Sequence, residues 1–252
     1  MKDIYVQDTD YRHTQLLVLV IDVSGSMHGY KLEACQNMLN DIFKHIQMCE
    51  AEGYGGPKIE LAIIQYDSSV EVVRYPQAIK EDEQSPVLKA DGLMSETIMA
   101  METAIQLVED RKAFYRAIGQ SYYRPWIMVM TAGEPYGKKT NQADIKVISQ
   151  RVAEDLKERR YLMIGVGIGE SEDEDFVDMA FFTRITPITM TFNELKNGFD
   201  DIFSWNRVPS WIWIKEQELA EQSIKDELSA LEKSMKELDS EVSLDKWMEE
   251  FI

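Results

Sequence analysis

The sequence is poor in the residues that build disulfide frameworks and zinc sites. It contains two cysteines and three histidines in 252 residues. Cys35 and Cys49 fall on one predicted helix about four turns, or roughly 20 Å, apart, which is too far for a disulfide between them. No two histidines stand at the short spacing that is typical of zinc ligands. These absences disfavour a disulfide-stabilised secreted domain and a zinc protein.

Positive charge and long apolar segments are also scarce. The chain has 27 lysines and arginines against 45 aspartates and glutamates, which gives a net charge of −18. Because such a surface repels phosphate backbones and anionic headgroups, we expect no nucleic-acid partner and no membrane partner. No segment reaches the roughly 18 apolar residues needed to cross a bilayer, and residues 1–15 lack the apolar core of a signal peptide. We therefore expect a cytoplasmic location.

Apolar runs alternate with helical patterns along most of the chain, which predicts a parallel α/β sheet with helices on both faces. Residues 16–21 (LLVLVI) form a continuous apolar run, typical of a strand that is buried on both sides. Further strands are predicted at 59–66, 70–75, 126–131, 162–166 and 188–190, and helices at 31–50, 95–118, 143–158, 173–182 and 193–206. The second and third strands are separated by a short polar turn and are predicted to form a hairpin.

The pattern changes from residue 211 onwards. Apolar residues there alternate at spacings of four and three, which is a short heptad seam; they are Ile224, Leu228, Leu231, Met235, Leu238 and Val242. Either this helix packs on its own domain, or it binds a partner or a second copy of the chain, with Leu228, Leu231 and Met235 as contacts. We divide the chain into an N-terminal extension (1–14), an α/β domain (15–208) and a C-terminal helical extension (209–252).

Residues 22–27 (DVSGSM) follow the first predicted strand directly. Ligands bind at this end of the strands in open α/β sheets. Asp22, Ser24 and Ser26 supply one carboxylate and two hydroxyls at alternating positions, and such hard oxygen donors suit Mg²⁺. The alternative is a polar turn in which Asp22 caps the following helix. The position directly after a buried strand favours the ligand interpretation.

Several segments carry a resemblance to the von Willebrand factor A (vWA) family. The DVSGSM segment after LLVLVI resembles the metal-ion-dependent adhesion site of that family. Residues 63–69 (IIQYDSS), 88–92 (LKADG), 124–135 (RPWIMVMTAGEP) and 164–167 (IGVG) are similar to its later segments. The resemblance covers most of residues 16–205 and is greatest to the cytoplasmic TerY-type branch of tellurium-resistance proteins.

The resemblance implies a doubly wound, Rossmann-like fold. Its six-stranded sheet would be mostly parallel, in the order 3-2-1-4-5-6, with one antiparallel edge strand. It also implies Mg²⁺ held by Ser24, Ser26, a threonine from a second loop and an aspartate after the fourth strand, with Asp22 acting largely through water. A partner's carboxylate often completes the metal shell in this family, so the implied activity is protein binding.

The implied partners are kinases, phosphatases or AAA+ ATPases of stress or phage-defence systems. Residues near the adhesion site would contact such a partner, and we expect Met27, His28 and Glu134 to do so. Self-association through the C-terminal helix is a further expectation of the heptad pattern.

The sequence departs from the family pattern at two metal-ligand positions. The aspartate after the fourth strand is Ala132, and the threonine of the second loop aligns with Met94. Ser95 or Thr97 takes the place of that threonine after a small shift, and Asp91 is a nearby carboxylate. Because one carboxylate and two hydroxyls replace the hydration shell of Mg²⁺ poorly, we expect weak binding unless a partner adds a carboxylate.

Two other kinds of function are alternatives. A metal-independent structural subunit would bind its partner through the C-terminal heptad helix alone. A phosphatase-like enzyme would use Asp22 as its nucleophile, but Ser24 stands where that chemistry needs a second acid, and no acidic pair follows the fourth strand to hold Mg²⁺. We therefore predict an interaction module and no enzyme.

Overall fold

The computed structural model describes residues 12–53, 56–133, 135–169, 180–186 and 188–197, together with Lys225, Ser229 and Lys233. The chain divides into two compact units, Met1–Arg207 and Val208–Ile252. The described residues of the first unit form an α/β domain. The three described residues of the second unit are helical and exposed. The heptad residues Leu228, Leu231 and Met235 lie outside the described residues, so their predicted role stays a prediction.

Strands and helices alternate along the first unit, as the sequence pattern predicted. In chain order they are β1 (Thr14–Asp22), a 3-10 turn (Gly25–Met27), α1 (Tyr30–Ala51), β2 (Lys58–Tyr66), β3 (Val70–Gln77), α2 (Thr97–Ile118), β4 (Trp126–Thr131), α3 (Gln142–Lys157), β5 (Leu162–Gly167), α4 (Ala180–Ile185), β6 (Thr189–Thr191) and α5 (Phe192–Asn197). The predicted helices at 173–182 and 193–206 fall partly outside the described residues. Their described parts are α4 and α5.

The six strands form one sheet in the order β3-β2-β1-β4-β5-β6. Neighbouring strands are parallel except β2 and β3, which form an antiparallel hairpin. This confirms the predicted fold class. The chain winds outwards in opposite directions from β1, through β2 on one side and β4 on the other, so the switch point for ligand binding lies between β1 and β4.

β1 is the centre of the core, and all nine of its residues are buried. Leu16, Val18 and Val20 belong to a cluster that includes Met101 and Ile105 of α2. The alternate residues of the strand point to the opposite face and are equally buried. Burying one such side chain contributes about 1.5–3 kcal/mol, so the apolar run LLVLVI has a strong reason to occupy a position covered on both faces.

Arg74 fixes the irregular part of the β2–β3 hairpin. The register shifts between Leu61 and Ile64, and such shifts leave backbone carbonyls without a partner in the ladder. The buried guanidinium donates to the carbonyls of Leu61 and Gln77, and its Nε donates to Glu83 Oε1 over 2.8 Å. One side chain therefore satisfies the backbone that the bulge exposes.

The helices have clear sequence reasons for their ends. α2 ends at Ile118 and is capped by Gly119, whose φ of 72° is the left-handed conformation that glycine adopts most readily. α3 begins after Asn141, whose side chain accepts a hydrogen bond from the Asp144 amide at 3.0 Å. Among the helices in the described part of the chain, none is both long enough and apolar enough to cross a membrane.

Candidate functional site

The candidate site lies where β1 and β4 end side by side. Their parallel register pairs Ile21 with Met130, so the next residues, Asp22 and Thr131, project from neighbouring strands at the same edge of the sheet. On the other side of β1, Asp22 pairs with Tyr66, the last residue of β2. Three consecutive strands of the sheet therefore place a carboxylate between a hydroxyl and a phenol.

Asp22 connects three separate segments of the chain. Its side chain has no exposed surface. Oδ1 accepts from the Ser24 amide at 2.8 Å, while Oδ2 accepts from Ser95 Oγ at 2.9 Å and from Thr131 Oγ1 at 2.5 Å. A buried carboxylate is costly unless donors surround it. These three bonds therefore fix the turn after β1, the loop before α2 and the end of β4 on one point.

Further hydroxyls extend this cluster in two directions. Ser24 Oγ and Ser26 Oγ are 2.9 Å apart, and Ser26 is exposed whereas Ser24 is buried. On the inner side, Ser95 Oγ lies 3.1 Å from Thr97 Oγ1, which is completely buried. The cluster thus runs from the core through Asp22 to a hydroxyl at the surface.

Tyr66 forms the floor of the cluster. Its pKa is raised well above the ordinary value, mainly by burial and then by the negative charge of Asp22, against the opposing effect of hydrogen bonds with Thr97, Thr131 and Ser95. Its hydroxyl therefore remains protonated. It donates to the Met130 carbonyl over 3.5 Å, which connects the end of β2 to β4.

Backbone hydrogen bonds hold the surrounding loops together. The Gly25 amide donates to the Gly92 carbonyl at 2.7 Å, and Glu96 donates to the Asp67 carbonyl at 2.9 Å. Ser95 and Tyr136 exchange two backbone hydrogen bonds, of 2.7 and 3.2 Å. These contacts attach the loop that carries Ser95 to the turn after β1, to the β2–β3 turn and to the loop after β4.

The structure brings together most of the residues proposed as metal ligands. Asp22, Ser24 and Ser26 are linked by the hydrogen bonds described above, and the second loop adds Ser95. Met94, which the gapless alignment places at the threonine position, is 39% exposed and is followed directly by the hydroxyl that reaches Asp22. Thr97 lies behind Ser95 in the core, and Asp91 is exposed at the start of the loop.

The residues proposed to contact a partner differ in how exposed they are. Met27 has no exposed surface, so a partner cannot contact its side chain in this structure, which corrects the expectation for this residue. It is a large apolar side chain at the end of the 3-10 turn, and burial stabilises it more than a surface position would. His28, the next residue, is exposed. Glu134 lies outside the described residues.

The donor set can be tested against Mg²⁺. Within the described part of the chain, no three histidine, cysteine or carboxylate side chains are grouped to hold a metal, so a metal would depend on the hydroxyls. The 2.9 Å between Ser24 Oγ and Ser26 Oγ matches the edge of an octahedron with Mg–O bonds of about 2.0–2.1 Å, which is about 2.9 Å. The spacing of these hydrogen-bonded hydroxyls is thus compatible with two neighbouring ligands of the ion, while the methyl group of Ala132 adds no ligand.

Sequence reasoning missed two kinds of residue at the site. The sequence pattern predicts Thr131 only as the end of a strand, although two adjacent parallel strands that end in Asp22 and Thr131 indicate a shared polar site. Leu93 and Tyr136 were not considered, and they are 91% and 72% exposed beside Ser95. No periodic pattern marks them, because the loops that carry them are irregular.

The chain belongs to the von Willebrand factor type A domain family, whose model matches residues 17–200. No curated protein matches the sequence. Many solved structures match the fold, and three of them illustrate the likeness. A von Willebrand factor type A protein from Catenulispora acidiphila is 13% identical, with a TM-score of 0.51 over 76% of this chain and 42% of that one. The pilus adhesin SpaC from Lactobacillus rhamnosus GG is 13% identical, with a TM-score of 0.52 over 77% and 31%.

The third structure is the PilB minor pilin from Streptococcus sanguinis, which is 11% identical, with a TM-score of 0.52 over 82% of this chain and 63% of that one. The chain spans less than two thirds of the length of each of these three proteins. At such low identity the likeness shows the shared fold.

Proposed function

We propose that the domain is a protein–protein interaction module that binds its partner through one surface. We call this surface the loop face and define it as residues 24–28, 67–69, 91–95 and 135–138. The observation that carries the proposal is the hydrogen bonding of Asp22, because it preorganises three loops at the switch point of the sheet. A preformed loop surface loses little conformational entropy when a partner binds.

The exposed side chains of the loop face suit a protein partner. Leu93, Met94 and Tyr136 are large apolar residues with 91%, 39% and 72% of their surface exposed. Leu93 and Met94 are the two residues before Ser95, and Tyr136 pairs with Ser95 through the backbone. Apolar and aromatic groups around a small polar centre are typical of protein interfaces. The name of the SpaC relative, a pilus adhesin, describes a binding function on the same fold.

We further propose that the loop face is a degenerate metal-ion-dependent adhesion site that holds Mg²⁺ weakly. Ser24 and Ser26 would bind the ion, with Asp22 and Ser95 behind them. When bound, the ion would supply positive charge to which a partner's carboxylate is attracted. Weak binding follows because the hydroxyls are neutral, Asp22 already accepts three hydrogen bonds, and Ala132 adds no charge.

The burial of Asp22 supports binding rather than catalysis. A nucleophilic carboxylate must reach its substrate, yet Asp22 has no exposed surface, and both of its oxygens accept hydrogen bonds. The phosphatase-like alternative would require these bonds to break and the loops above Asp22 to separate. The proposed function is therefore non-enzymatic.

The proposed setting is the cytoplasm, with kinases, phosphatases or AAA+ ATPases as partners in the manner of the TerY-type branch. The state of the cysteines is compatible with a reducing compartment, since Cys35 is a free, buried thiol and Cys49 is a free, partly buried one. Both this location and these partner classes rest on the family resemblance.

Site-specific photo-crosslinking in the native cell tests the loop face. A photoreactive residue at Leu93 or Tyr136 should capture the same partner, because both side chains project from the loop face. The matched control is Ile118, which is 59% exposed at the far end of α2, near the amino-terminal edge of β1. The proposal would be contradicted if a photoreactive residue at Ile118 captured a partner and those at Leu93 and Tyr136 did not.

Two substitutions in the full chain separate this proposal from binding through the heptad helix. Leu93→Asp should weaken partner capture strongly, whereas Leu231→Asp should leave it intact. The opposite result would favour the metal-independent subunit that binds through its C-terminal helix.

A further inference from the structure

Lys31 occupies an unfavourable position for a lysine. It is the second residue of α1, where the positive end of the helix dipole disfavours a cation. It is also only 7% exposed, and burial of an ammonium group is costly unless polar groups compensate for the lost water. A lysine that meets both penalties needs a specific local reason to be there.

One contact of Lys31 supplies such a reason. Its Nζ donates to the carbonyl oxygen of Ser26 at 2.9 Å. The hydroxyl of the same serine lies 2.9 Å from that of Ser24, and the amide of Ser24 donates to Asp22. The ammonium group therefore contacts the turn whose hydroxyls form the outer part of the site.

The negative charge of the site also reaches this side of α1. Cys35 lies one turn after Lys31 and is completely buried. The pKa of its thiol is raised well above the ordinary value, first by burial and then by the carboxylate of Asp22. Lys31 thus lies at the start of the face of α1 on which the charge of Asp22 acts.

We propose that Lys31 is a positioning residue that holds the turn of Ser24 and Ser26 in its binding conformation without a divalent cation. The same positive charge lowers the affinity of that turn for Mg²⁺, because the ion at the two hydroxyls would be repelled by the neighbouring ammonium group. This inference rests on the proposed binding function of the loop face. It adds a reason for weak metal binding that lies in this chain's own residues.

Metal binding by charge-matched variants tests the inference. Mg²⁺ and Mn²⁺ would be titrated by calorimetry, at constant ionic strength, into the full chain carrying Lys31→Gln, Lys31→Arg or Lys44→Gln. Lys44 is an exposed lysine on the same helix, so its substitution changes the net charge equally. We expect Lys31→Gln to bind Mg²⁺ about tenfold more tightly than the wild type, and the other two variants to match the wild type.

Thermal unfolding gives a second readout. Without Mg²⁺, Lys31→Gln should unfold at a lower temperature than the wild type, and Mg²⁺ should restore much of that loss because the ion takes over the role of the ammonium group. A purely structural lysine would give the loss without the restoration.

Several results would overturn the inference. In calorimetry, these results are that Lys31→Gln binds Mg²⁺ no more tightly than the wild type, that neither protein binds Mg²⁺, or that Lys44→Gln gains as much Mg²⁺ affinity as Lys31→Gln. In thermal unfolding, the result is a Lys31→Gln protein that stays unfolded at saturating Mg²⁺. None of these touches the crosslinks from Leu93 and Tyr136, so the failure of this inference is distinguishable from a failure of the proposed function.

Discussion

The hydroxyl of Ser95 donates to Asp22 Oδ2 over 2.9 Å, although 73 positions separate the two residues in the chain. This bond attaches the loop before α2 to the end of β1. Because the same oxygen accepts from Thr131, it also connects that loop to β4. Ser95 therefore joins three segments of the site, and its loss should affect the whole loop face.

Ser95→Ala should lower the free energy of unfolding by about 1–3 kcal/mol, the usual effect when a buried group loses one hydrogen-bond partner. Asp22 Oδ2 would keep only the bond from Thr131. Urea denaturation monitored by circular dichroism measures the change. The control is Ser69→Ala, which removes a hydroxyl donor from Asp67 at an exposed position and should cost less. If Ser95→Ala lowered the free energy of unfolding no more than Ser69→Ala does, the buried Ser95–Asp22 bond would contribute no more than the exposed one.

Gly92→Ala should disturb the loop face through a steric clash. A Cβ atom at this position would lie 2.2 Å from Asp67 Cβ and 2.4 Å from its Oδ2, and Asp67 Cβ cannot move without the backbone. We expect a loss of about 1–3 kcal/mol and weaker partner capture from Leu93. Gly133→Ala is the control, since a Cβ there meets no atom within 4 Å. Wild-type stability in Gly92→Ala would contradict the close packing of the two loops.

The sheet was predictable because its strongest signals are long and simple. The runs LLVLVI and WIMVMT are buried along their whole length in β1 and β4, and only strands covered on both faces by helices need such continuous apolar sequence. The strand order itself came from the family resemblance rather than from these patterns. A polar turn between 66 and 70 predicted the hairpin, because a short turn can only join antiparallel strands.

The site was less predictable because irregular loops have no period. Spacing alone did not decide whether Met94, Ser95 or Thr97 meets Asp22. That choice depends on backbone bonds such as the pairing of Ser95 with Tyr136. Met27 was expected to contact a partner because it lies near the adhesion-site residues, yet it is buried. No sequence pattern singles out Lys31, which lies one turn before Cys35 on the buried face of α1.

The contribution of Glu83 to the stability of the protein should depend on pH. Burial opposes its ionisation, but hydrogen bonds from Arg74 and from the Lys80 amide, with the charges of both residues, outweigh this and lower its pKa below the ordinary 4.5. A lowered pKa in the folded state stabilises the protein above pH 4.5, and this stabilisation is lost as the pH falls through the folded-state pKa.

Glu83→Gln should therefore unfold more easily than the wild type at pH 7, and the difference should shrink progressively below pH 4.5. Urea denaturation of both proteins at pH 7 and at pH 3 measures this difference. Glu81→Gln, an exposed neighbour, should unfold like the wild type throughout. A difference for Glu83→Gln that is the same at pH 7 and pH 3 would show that ionisation of Glu83 is not its source.

Ala132→Asp should strengthen the Mg²⁺ binding that we propose for the loop face. The resemblance to the vWA family places an aspartate at this position, directly after Thr131, where a new carboxylate would add negative charge beside the hydroxyls. We expect Mg²⁺ affinity to rise at least about tenfold in calorimetric titration, because the attraction between the ion and a nearby carboxylate exceeds that of a neutral ligand. Ala132→Asn is the matched control, since it has nearly the same shape without the charge. If Ala132→Asp binds Mg²⁺ no more tightly than Ala132→Asn, the loop after β4 does not direct this position towards Ser24 and Ser26, and the missing aspartate is not the cause of weak binding.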